Sequence, residues 1–313
     1  MKINSISIFL TRRCNYRCPY CSTDTGPDPE DKLTLTELKD IILQAKSLGA
    51  RWLIISGQGE PLLDENLFPI LDFARKQALK TKIFTNGSLI NQDTAAELYR
   101  RNVSVVYKLH ALKKPLYDSL AGKVNATAWE SLKQEIEGIT EIPSGLKYLI
   151  DAGYIKKRAS LFESLLQIET VILLENIGDI KRLALFCRKT GMDFLPEILI
   201  ETPSVKGIKT ITEEDERRVF KDVGRILGLP FLMQQWLRCR FETNPALDIS
   251  GNIRHCTSLT LDELWNIRKM PLKSMHSKEL CRRKALGMIS PLFSLPCNRF
   301  RLCATRRFWK KQR

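Results

Sequence analysis

The sequence predicts an α/β protein, a partial and open TIM-like (β/α)6 barrel followed by a small C-terminal domain. Strand-like and helix-like stretches alternate up to about residue 228 of the 313-residue chain, as is typical of a parallel sheet with helices outside it. A closed eight-fold barrel needs two more units than this pattern provides. The periodicity fades from about residue 229, so we expect two domains, residues 1–229 and 230–313.

The spacing of hydrophobic residues supports each predicted helix and strand. Leu38, Ile41, Ile42 and Ala45 recur at helical spacing, whereas "RWLIIS" is a short apolar run that ends in a glycine-rich turn. The same reasoning predicts strands at residues 5–10, 51–56, 81–85, 103–110, 165–176 and 193–201, and helices at residues 34–48, 67–79, 91–101, 178–190 and 212–227. The segment 111–160 is predicted to be a longer, mainly helical connection.

Composition indicates an ordinary globular protein in a reducing compartment. Apolar residues make up 43% of the chain, no apolar run is long enough to span a bilayer, and the N-terminus lacks the cleavage site of a signal peptide. We therefore expect a cytoplasmic protein with no membrane partner. Nine cysteines in that setting indicate metal or redox chemistry rather than disulfides.

A net charge of +15 raises the question of an acidic partner. Most basic residues are dispersed, which favours a solvated surface, but residues 298–313 hold seven basic side chains and no acidic one. This tail could dock an acidic flavodoxin or ferredoxin. Because Phe300, Phe308 and Trp309 are interleaved with its charges, it could instead bind RNA. We favour reductant docking, or no role, over nucleic acid.

Three cysteines, Cys14, Cys18 and Cys21, follow the first predicted strand in the segment "TRRCNYRCPYC". Iron–sulfur clusters are usually held by four thiolates, so a loop that supplies three leaves one iron with an open coordination site. The spacing therefore suggests a [4Fe-4S] cluster at the barrel mouth. The alternative is a structural zinc site, which would need more cysteines because the chain has three histidines.

At these residues the sequence resembles the radical S-adenosylmethionine (SAM) family, with Tyr20 just before the last cysteine. The resemblance implies that the open iron is chelated by the amino and carboxyl groups of SAM. It further implies that reductive cleavage of SAM gives a 5′-deoxyadenosyl radical, which abstracts a hydrogen atom from the substrate. A second match, "GQGEP", looks like the GGEP stretch of that family. Its residues are cofactor-binding candidates: Gly57, Gln58, Gly59, Glu60 and Pro61.

Further candidates lie at the ends of later predicted strands, where barrel enzymes place functional residues. Thr85 and Asn86 begin a turn that this family often has after its third strand. Lys108 and His110 end the fourth strand and are also cofactor-binding candidates, whereas Glu197 and Glu201 on the sixth are pocket candidates.

The C-terminal cysteines resemble the SPASM region, or its shorter form Twitch, which binds auxiliary clusters in part of the family. Four thiols would serve as metal ligands: Cys239, Cys256, Cys297 and Cys303. Ser294 and Arg307 stand where further SPASM cysteines would be, so the resemblance implies a single auxiliary cluster, and two [4Fe-4S] clusters in total.

Two cysteines remain. Cys187 lies on the apolar face of a predicted helix, which favours core packing. Cys281 could be another cluster ligand or a hydrogen-atom donor in catalysis, although Arg282 and Arg283 would favour its thiolate.

The substrate is harder to predict. Many peptide-modifying relatives have a leader-binding domain before the triad, and with 13 residues before Cys14 we expect none here. This favours a small molecule such as a sugar or aminocyclitol, and epimerisation or dehydrogenation at a carbinol carbon. A peptide-modifying enzyme is one alternative, and an RNA-associated protein with structural metal sites is another.

Overall fold

The computed structural model of the protein describes residues 3–23, 25–122, 127–156, 164–199, 205, 207–228, 246–254, 266–269 and 271–272. Within this part of the chain the fold is an open α/β barrel. Its ten strands are β1 (Ser5–Ile8), β2 (Trp52–Ile55), β3 (Lys80–Thr85), β4 (Ser104–Lys108), β5 (Trp129–Ile136), β6 (Ile139–Pro143), β7 (Leu166–Ile172), β8 (Asp193–Ile198), β9 (Ala246–Leu247) and β10 (Ile253–Arg254).

Eight strands form one sheet in the order β10-β9-β1-β2-β3-β4-β7-β8. All neighbouring strands from β9 to β8 are parallel, and β10 is antiparallel to β9. In the described residues β8 and β10 are the two edges of the sheet, so the barrel does not close. The predicted open (β/α)6 barrel is confirmed, and a short strand from beyond residue 229 adds to its first edge.

In the part of the chain that the structure describes, seven helices accompany the sheet: α1 (Leu35–Ser47), α2 (Leu67–Lys76), α3 (Gln92–Arg100), α4 (Lys114–Leu120), α5 (Ser144–Asp151), α6 (Ile180–Thr190) and α7 (Glu213–Leu227). Two of them begin in a capping box, Thr34 with Glu37 and Thr212 with Asp215, which satisfies the first backbone N–H groups of the helix. None of the helices in the described residues is long and apolar enough to cross a membrane.

The prediction of a mainly helical connection over residues 111–160 was wrong in its middle part. Between α4 and α5 the chain forms the antiparallel hairpin β5–β6. Its turn residues, Glu137 (φ 52°) and Gly138 (φ 73°), both adopt the left-handed backbone that two-residue hairpin turns require. The sequence favoured a helix here because the segment is rich in glutamate and lysine, which form helices well, and the short Glu-Gly turn is a weaker signal.

The two faces of the sheet differ in polarity because side chains alternate along each strand. One face packs under the helices with apolar residues such as Ile6, Ile8, Leu53, Ile55, Ile83, Val105, Tyr107, Leu166 and Ile168. The other, concave face carries Lys108, which contacts Glu169 on the adjacent strand, and Lys82, which contacts Gln167 two strands away. The interior of this barrel is therefore lined partly by charged side chains.

The segments beyond residue 229 that the structure describes lie against the barrel. The Phe9 amide donates to the Leu247 carbonyl at 3.0 Å, and Arg268 forms an ion pair with Glu37 at the start of α1. The predicted boundary between residues 229 and 230 lies outside the described residues and stays a prediction.

Candidate active site

The three predicted ligand cysteines lie in one loop directly after β1, at the carboxyl end of the sheet. Cys14, Cys18 and Cys21 are each partly buried, and the Cys21 amide donates to the Cys18 carbonyl at 3.0 Å. The Tyr16 amide donates to Cys14 Sγ at 3.4 Å, and Thr23 Oγ1 lies 3.1 Å from Cys21 Sγ. The loop thus turns all three thiols into the same region of the molecule.

Asp28 fastens the two ends of this loop together. Its Oδ1 accepts hydrogen bonds from Thr11 Oγ1 and from the Arg12 amide, both at 2.7 Å. Its Oδ2 accepts from Arg13 Nε at 3.1 Å and from Lys32 Nζ at 3.2 Å. One carboxylate therefore fixes the residues that precede the first cysteine.

The cysteine loop packs directly on the predicted Gly57–Pro61 turn. A Cβ atom on Gly59 would lie 2.3 Å from the Arg13 carbonyl oxygen, and the Glu60 amide donates to that oxygen at 2.8 Å. Gly122, after α4, makes an equally close approach on the other side, 2.1 Å from the Arg17 carbonyl oxygen. Side chains at these glycines would displace the loop.

Glu60 is a buried junction of this site, 2% exposed. Its carboxylate accepts hydrogen bonds from Thr85 Oγ1 at 2.7 Å, the Asn86 amide at 2.8 Å and the Leu62 amide at 3.1 Å. Burial raises the pKa of this carboxyl to about 6. These contacts occupy both carboxylate oxygens of Glu60. The side chain therefore connects the turn after β2 with the turn after β3.

Asn86 connects the turn after β3 to the cysteine loop. Its Nδ2 donates to Asn15 Oδ1 at 2.9 Å and lies 3.9 Å from Cys14 Sγ. The structure therefore brings the predicted residues of three strand ends, Cys14, Glu60 and Asn86, into one network.

The thiols of the loop fit the ligand set of an iron–sulfur cluster. Burial raises the pKa of Cys14, and it raises the pKa of Cys18 to about 12. Such thiols become thiolates only when a metal compensates their charge. A loop that supplies three thiolates leaves one iron of such a cluster with an open coordination site.

Lys108 and His110 lie close to the cysteine loop, on the concave side of β4 and just beyond its end. The His110 ring packs edge-on against Tyr20, with centroids 4.7 Å apart, and its Nδ1 accepts from the Val171 amide at 3.0 Å. Burial, and then the Lys108 charge, lower the pKa of His110 to about 3, so its imidazole is neutral.

Sequence reasoning missed one charged residue of this region, Glu169 on β7. It forms an ion pair with Lys108 and is 2% exposed. It was hidden within the apolar run "LLQIETVILLEN", and only the register of β4 against β7 brings it to Lys108. Glu197, predicted as a pocket candidate, lies near the end of β8. Burial lowers the pKa of Lys108, but the charge of Glu169 and then that of Glu197 outweigh burial, so this pKa is raised.

Of the remaining predicted residues, the structure describes one and leaves the others outside the described ranges. Cys187 is fully buried in α6, which confirms core packing. Cys239, Cys256, Cys281, Cys297, Cys303 and Glu201 lie outside the described residues.

Comparisons with known proteins agree with this geometry. Residues 8–133 match the family model of the Radical SAM superfamily. A GTP 3′,8-cyclase of Parasynechococcus marenigrum is 32% identical over 144 residues, 42% of this chain and 41% of that protein. A probable GTP 3′,8-cyclase of Thermococcus kodakarensis is 29% identical over 206 residues, 64% of this chain and 58% of that protein. The chain thus spans about half the length of these curated relatives.

Solved structures share the fold. Streptococcus suis SuiB bound to S-adenosylmethionine superposes with a TM-score of 0.66 at 20% identity, over 88% of this chain and 65% of that chain. SuiB bound to precursor peptide SuiA gives a TM-score of 0.64 at 17% identity, over 88% of this chain and 64% of that chain.

Proposed function

We propose that the protein is a radical SAM enzyme, and the match of residues 8–133 to the Radical SAM superfamily model supports this. Cys14, Cys18 and Cys21 would hold a [4Fe-4S] cluster whose fourth iron binds SAM. The observation that carries the proposal is the close packing of the cysteine loop on Gly59 and Gly122, with Asn86 beside the first thiol. When bound, the cluster and SAM supply one-electron cleavage of SAM and abstraction of a hydrogen atom from the substrate.

The chain's own residues position these groups. Asp28 holds the loop that carries the thiols, and Glu60 holds the turn that faces it. Gly57 and Gly59 leave room for the Phe9 ring and for the Arg13 carbonyl, which a Cβ atom would meet at 2.7 Å and 2.3 Å. Tyr20, within the loop, packs edge-on against His110 at the end of β4.

We propose a small-molecule substrate. Epimerisation or dehydrogenation at a carbinol carbon stays a prediction. The epimerisation alternative depends on Cys281 as a hydrogen-atom donor, and that residue lies outside the described residues. The two relatives are named for a cyclisation of GTP, and the solved relative SuiB binds a precursor peptide. Peptide modification is therefore the second candidate.

We also propose the auxiliary cluster on Cys239, Cys256, Cys297 and Cys303, and an acidic flavodoxin or ferredoxin as reductant. Four thiols suffice for one cluster. The +15 net charge supports an acidic electron donor.

The test is iron and sulfide analysis with electron paramagnetic resonance (EPR) after anaerobic reconstitution. Wild type should hold about eight irons, and a Cys14/Cys18/Cys21→Ala variant about four. SAM should perturb the spectrum of wild type and leave that of the triple variant unchanged. Cys187→Ala is the matched control, because it removes a thiol from the core of α6 and should keep both clusters.

Zinc in place of iron, or a wild-type spectrum that SAM does not change, would make the triad structural and overturn the proposed function. About four irons in wild type, all lost in the triple variant, would overturn the auxiliary cluster alone.

A further inference from the structure

The hydroxyl of Thr23 lies between the cysteine loop and the turn after β2. Its Oγ1 is 3.1 Å from Cys21 Sγ, and it donates to the carbonyl oxygen of Gln58 at 3.2 Å. Thr23 follows the third cysteine by two residues, and Gln58 belongs to the Gly57–Pro61 turn. One side chain thus contacts a candidate cluster ligand and also the turn that packs on the cysteine loop.

A threonine hydroxyl has one proton to donate and two lone pairs that accept. In this structure the proton of Thr23 is donated to the Gln58 carbonyl. The Cys21 thiol can then donate its own proton to Thr23 Oγ1 or to the Thr23 carbonyl oxygen, which lies 3.4 Å from Sγ. Thiol, hydroxyl and carbonyl therefore form a chain in which each donor has an acceptor.

Iron binding changes this chain, because a cysteine that ligates a metal has lost its thiol proton. The sulfur of Cys21 is then an acceptor only. The single proton of Thr23 has two acceptors within reach, this sulfur and the Gln58 carbonyl oxygen. Since hydrogen bonds to a negatively charged acceptor are the stronger ones, rotation of the hydroxyl about its Cβ–Oγ1 bond brings the proton to the sulfur.

Two other donors near the thiols do not have competing acceptors. The Tyr16 amide, which donates to Cys14 Sγ at 3.4 Å, belongs to the backbone and cannot rotate independently. Asn86 Nδ2 carries two protons, so its bond to Asn15 does not compete with its 3.9 Å contact to Cys14 Sγ. Thr23 differs from both, because its one proton must leave Gln58 to reach a sulfur.

We propose that Thr23 is a positioning residue whose hydroxyl changes its acceptor from the Gln58 carbonyl to the Cys21 sulfur when the cluster binds. Cluster binding thereby releases the Gln58 carbonyl oxygen from this hydrogen bond. The inference rests on the proposed function, because it needs a cluster on the cysteine loop. It adds a residue that is neither a ligand of the cluster nor part of the Gly57–Pro61 turn.

The expected effect of this hydrogen bond is on the reduction potential of the cluster. Hydrogen bonds to the sulfur ligands are among the factors that set this potential. They stabilise the reduced cluster more than the oxidised one, because the reduced cluster carries one more negative charge. The Thr23 hydroxyl therefore makes the cluster easier to reduce.

The test is an anaerobic redox titration of the reconstituted protein followed by EPR, in which the signal that SAM perturbs identifies the cluster on the cysteine loop. Thr23→Val replaces the hydroxyl by a methyl group. At the wild-type midpoint potential the ratio of reduced to oxidised cluster should fall by about threefold or more, which is about 28 mV or more for one electron. Thr23→Ser keeps a hydroxyl and should titrate like wild type.

Three further measurements complete the design. Thr140→Val makes the same replacement at an exposed position on β6 and should leave the potential unchanged. Thr23→Ala is a second variant without the hydroxyl, in case valine is not accommodated in the loop. In wild type, electron–nuclear double resonance after a brief transfer to D2O should detect a deuteron at hydrogen-bond distance from the cluster, because hydroxyl protons exchange faster than hydrogen-bonded amide protons.

A wild-type potential in Thr23→Val or Thr23→Ala would overturn the inference. So would an equal shift in Thr23→Ser and Thr23→Val, because the hydroxyl would then not be the cause. Absence of the deuteron signal from wild type would overturn it even if neither hydroxyl-free variant keeps its cluster. Failure of the proposed function is separate, since it appears as wild type that holds no iron or whose EPR spectrum SAM does not change.

Discussion

At the scale of single residues, the site depends on positions where a side chain is excluded. Gly59 is the clearest example. The atom that would meet its Cβ belongs to the backbone of the cysteine loop, at Arg13, and backbone cannot rotate aside as a flexible side chain can. The glycine in this turn therefore sets the distance between two loops.

We predict that Gly59→Ala lowers the free energy of unfolding by about 1–3 kcal/mol, as overpacking does. It should also reduce the iron retained after reconstitution, because the loop must move. Urea denaturation and iron analysis measure the two effects. Gly178→Ala is the matched control, since no atom lies within 4 Å of its added Cβ. Equal behaviour of the two variants would contradict the packing argument.

His110 makes stability depend on pH. Its pKa is lowered to about 3 in the folded protein, first by burial and then by Lys108, whereas an unfolded histidine titrates near 6.5. Below pH 6.5 the unfolded chain binds a proton that the folded one does not, so stability falls as the pH falls. Above pH 6.5 the stability that is linked to neutral His110 is fully present.

We therefore predict that wild type loses about 2 kcal/mol relative to His110→Asn between pH 6.5 and pH 5. Asparagine can keep the hydrogen bond from the Val171 amide through its Oδ1, so the variant removes titration more than packing. Unfolding free energies at both pH values give the difference. A parallel pH dependence in the two proteins would mean that His110 is not held neutral.

The cysteine spacing and the Gly57–Pro61 stretch could be predicted because both are local in the sequence. Glu169 could not, because its role depends on a partner on another strand. Lys108 and Glu169 meet only through the β4–β7 register, and the insertion of α4, the hairpin and α5 between them hides that register from the sequence.

At the scale of elements, the loop after β1 is fastened by side chains rather than by regular backbone pairing. Asp28 receives four of these contacts, from the side chains of Thr11, Arg13 and Lys32 and the amide of Arg12. The loop is therefore sensitive to a single carboxylate that binds no metal itself.

We predict that Asp28→Ala destabilises the loop by about 3 kcal/mol, because charge-assisted hydrogen bonds are lost and donors are left without an acceptor. The expected result is faster limited proteolysis between residues 11 and 28 and less iron per chain. Asp40→Ala, on the exposed face of α1, is the control. Normal iron content in Asp28→Ala would show that the thiols need no such anchor.

The alternating strands and helices were predictable because each has its own hydrophobic period. The β5–β6 hairpin was not, because no residue of β5 is buried and β6 has exposed and buried residues in adjacent pairs, so the two-residue alternation is weak. Its signal was the Glu137–Gly138 turn, where a left-handed backbone ends one strand and starts the next.

At the scale of the whole molecule, the described segments beyond residue 229 are attached to the barrel by the pairing of β9 with β1, by the buried side chains of Leu247, Ile267 and Leu272, and by polar contacts. Arg268 donates to the Glu37 carboxylate and to the Asp31 carbonyl, the latter at 2.8 Å. Its hydrogen bonds lower the pKa of Glu37 to about 2. The stability that the contact between Arg268 and ionised Glu37 contributes is present above pH 4.5 and is lost as the pH falls towards 2.

We predict that Arg268→Ala costs about 1 kcal/mol at pH 7, a modest value because both side chains are partly exposed. The difference from wild type should shrink at pH 3. Unfolding free energies at the two pH values measure it, with Lys269→Ala as the neighbouring control. An undiminished difference at pH 3 would mean that the carbonyl contacts, rather than the Glu37 charge, hold the segment.

The parallel pairing of β1 with β9 has a consequence for synthesis. β1 and β2 can pair early, but the other edge of β1 has to wait for residues 246–247. At ribosomal rates of about 5–20 residues per second, that wait is about 10–40 s. During this interval the nascent chain presents an unprotected strand beside the three thiols. Delivery of iron before the chain reaches residue 246 would therefore meet an unfinished barrel.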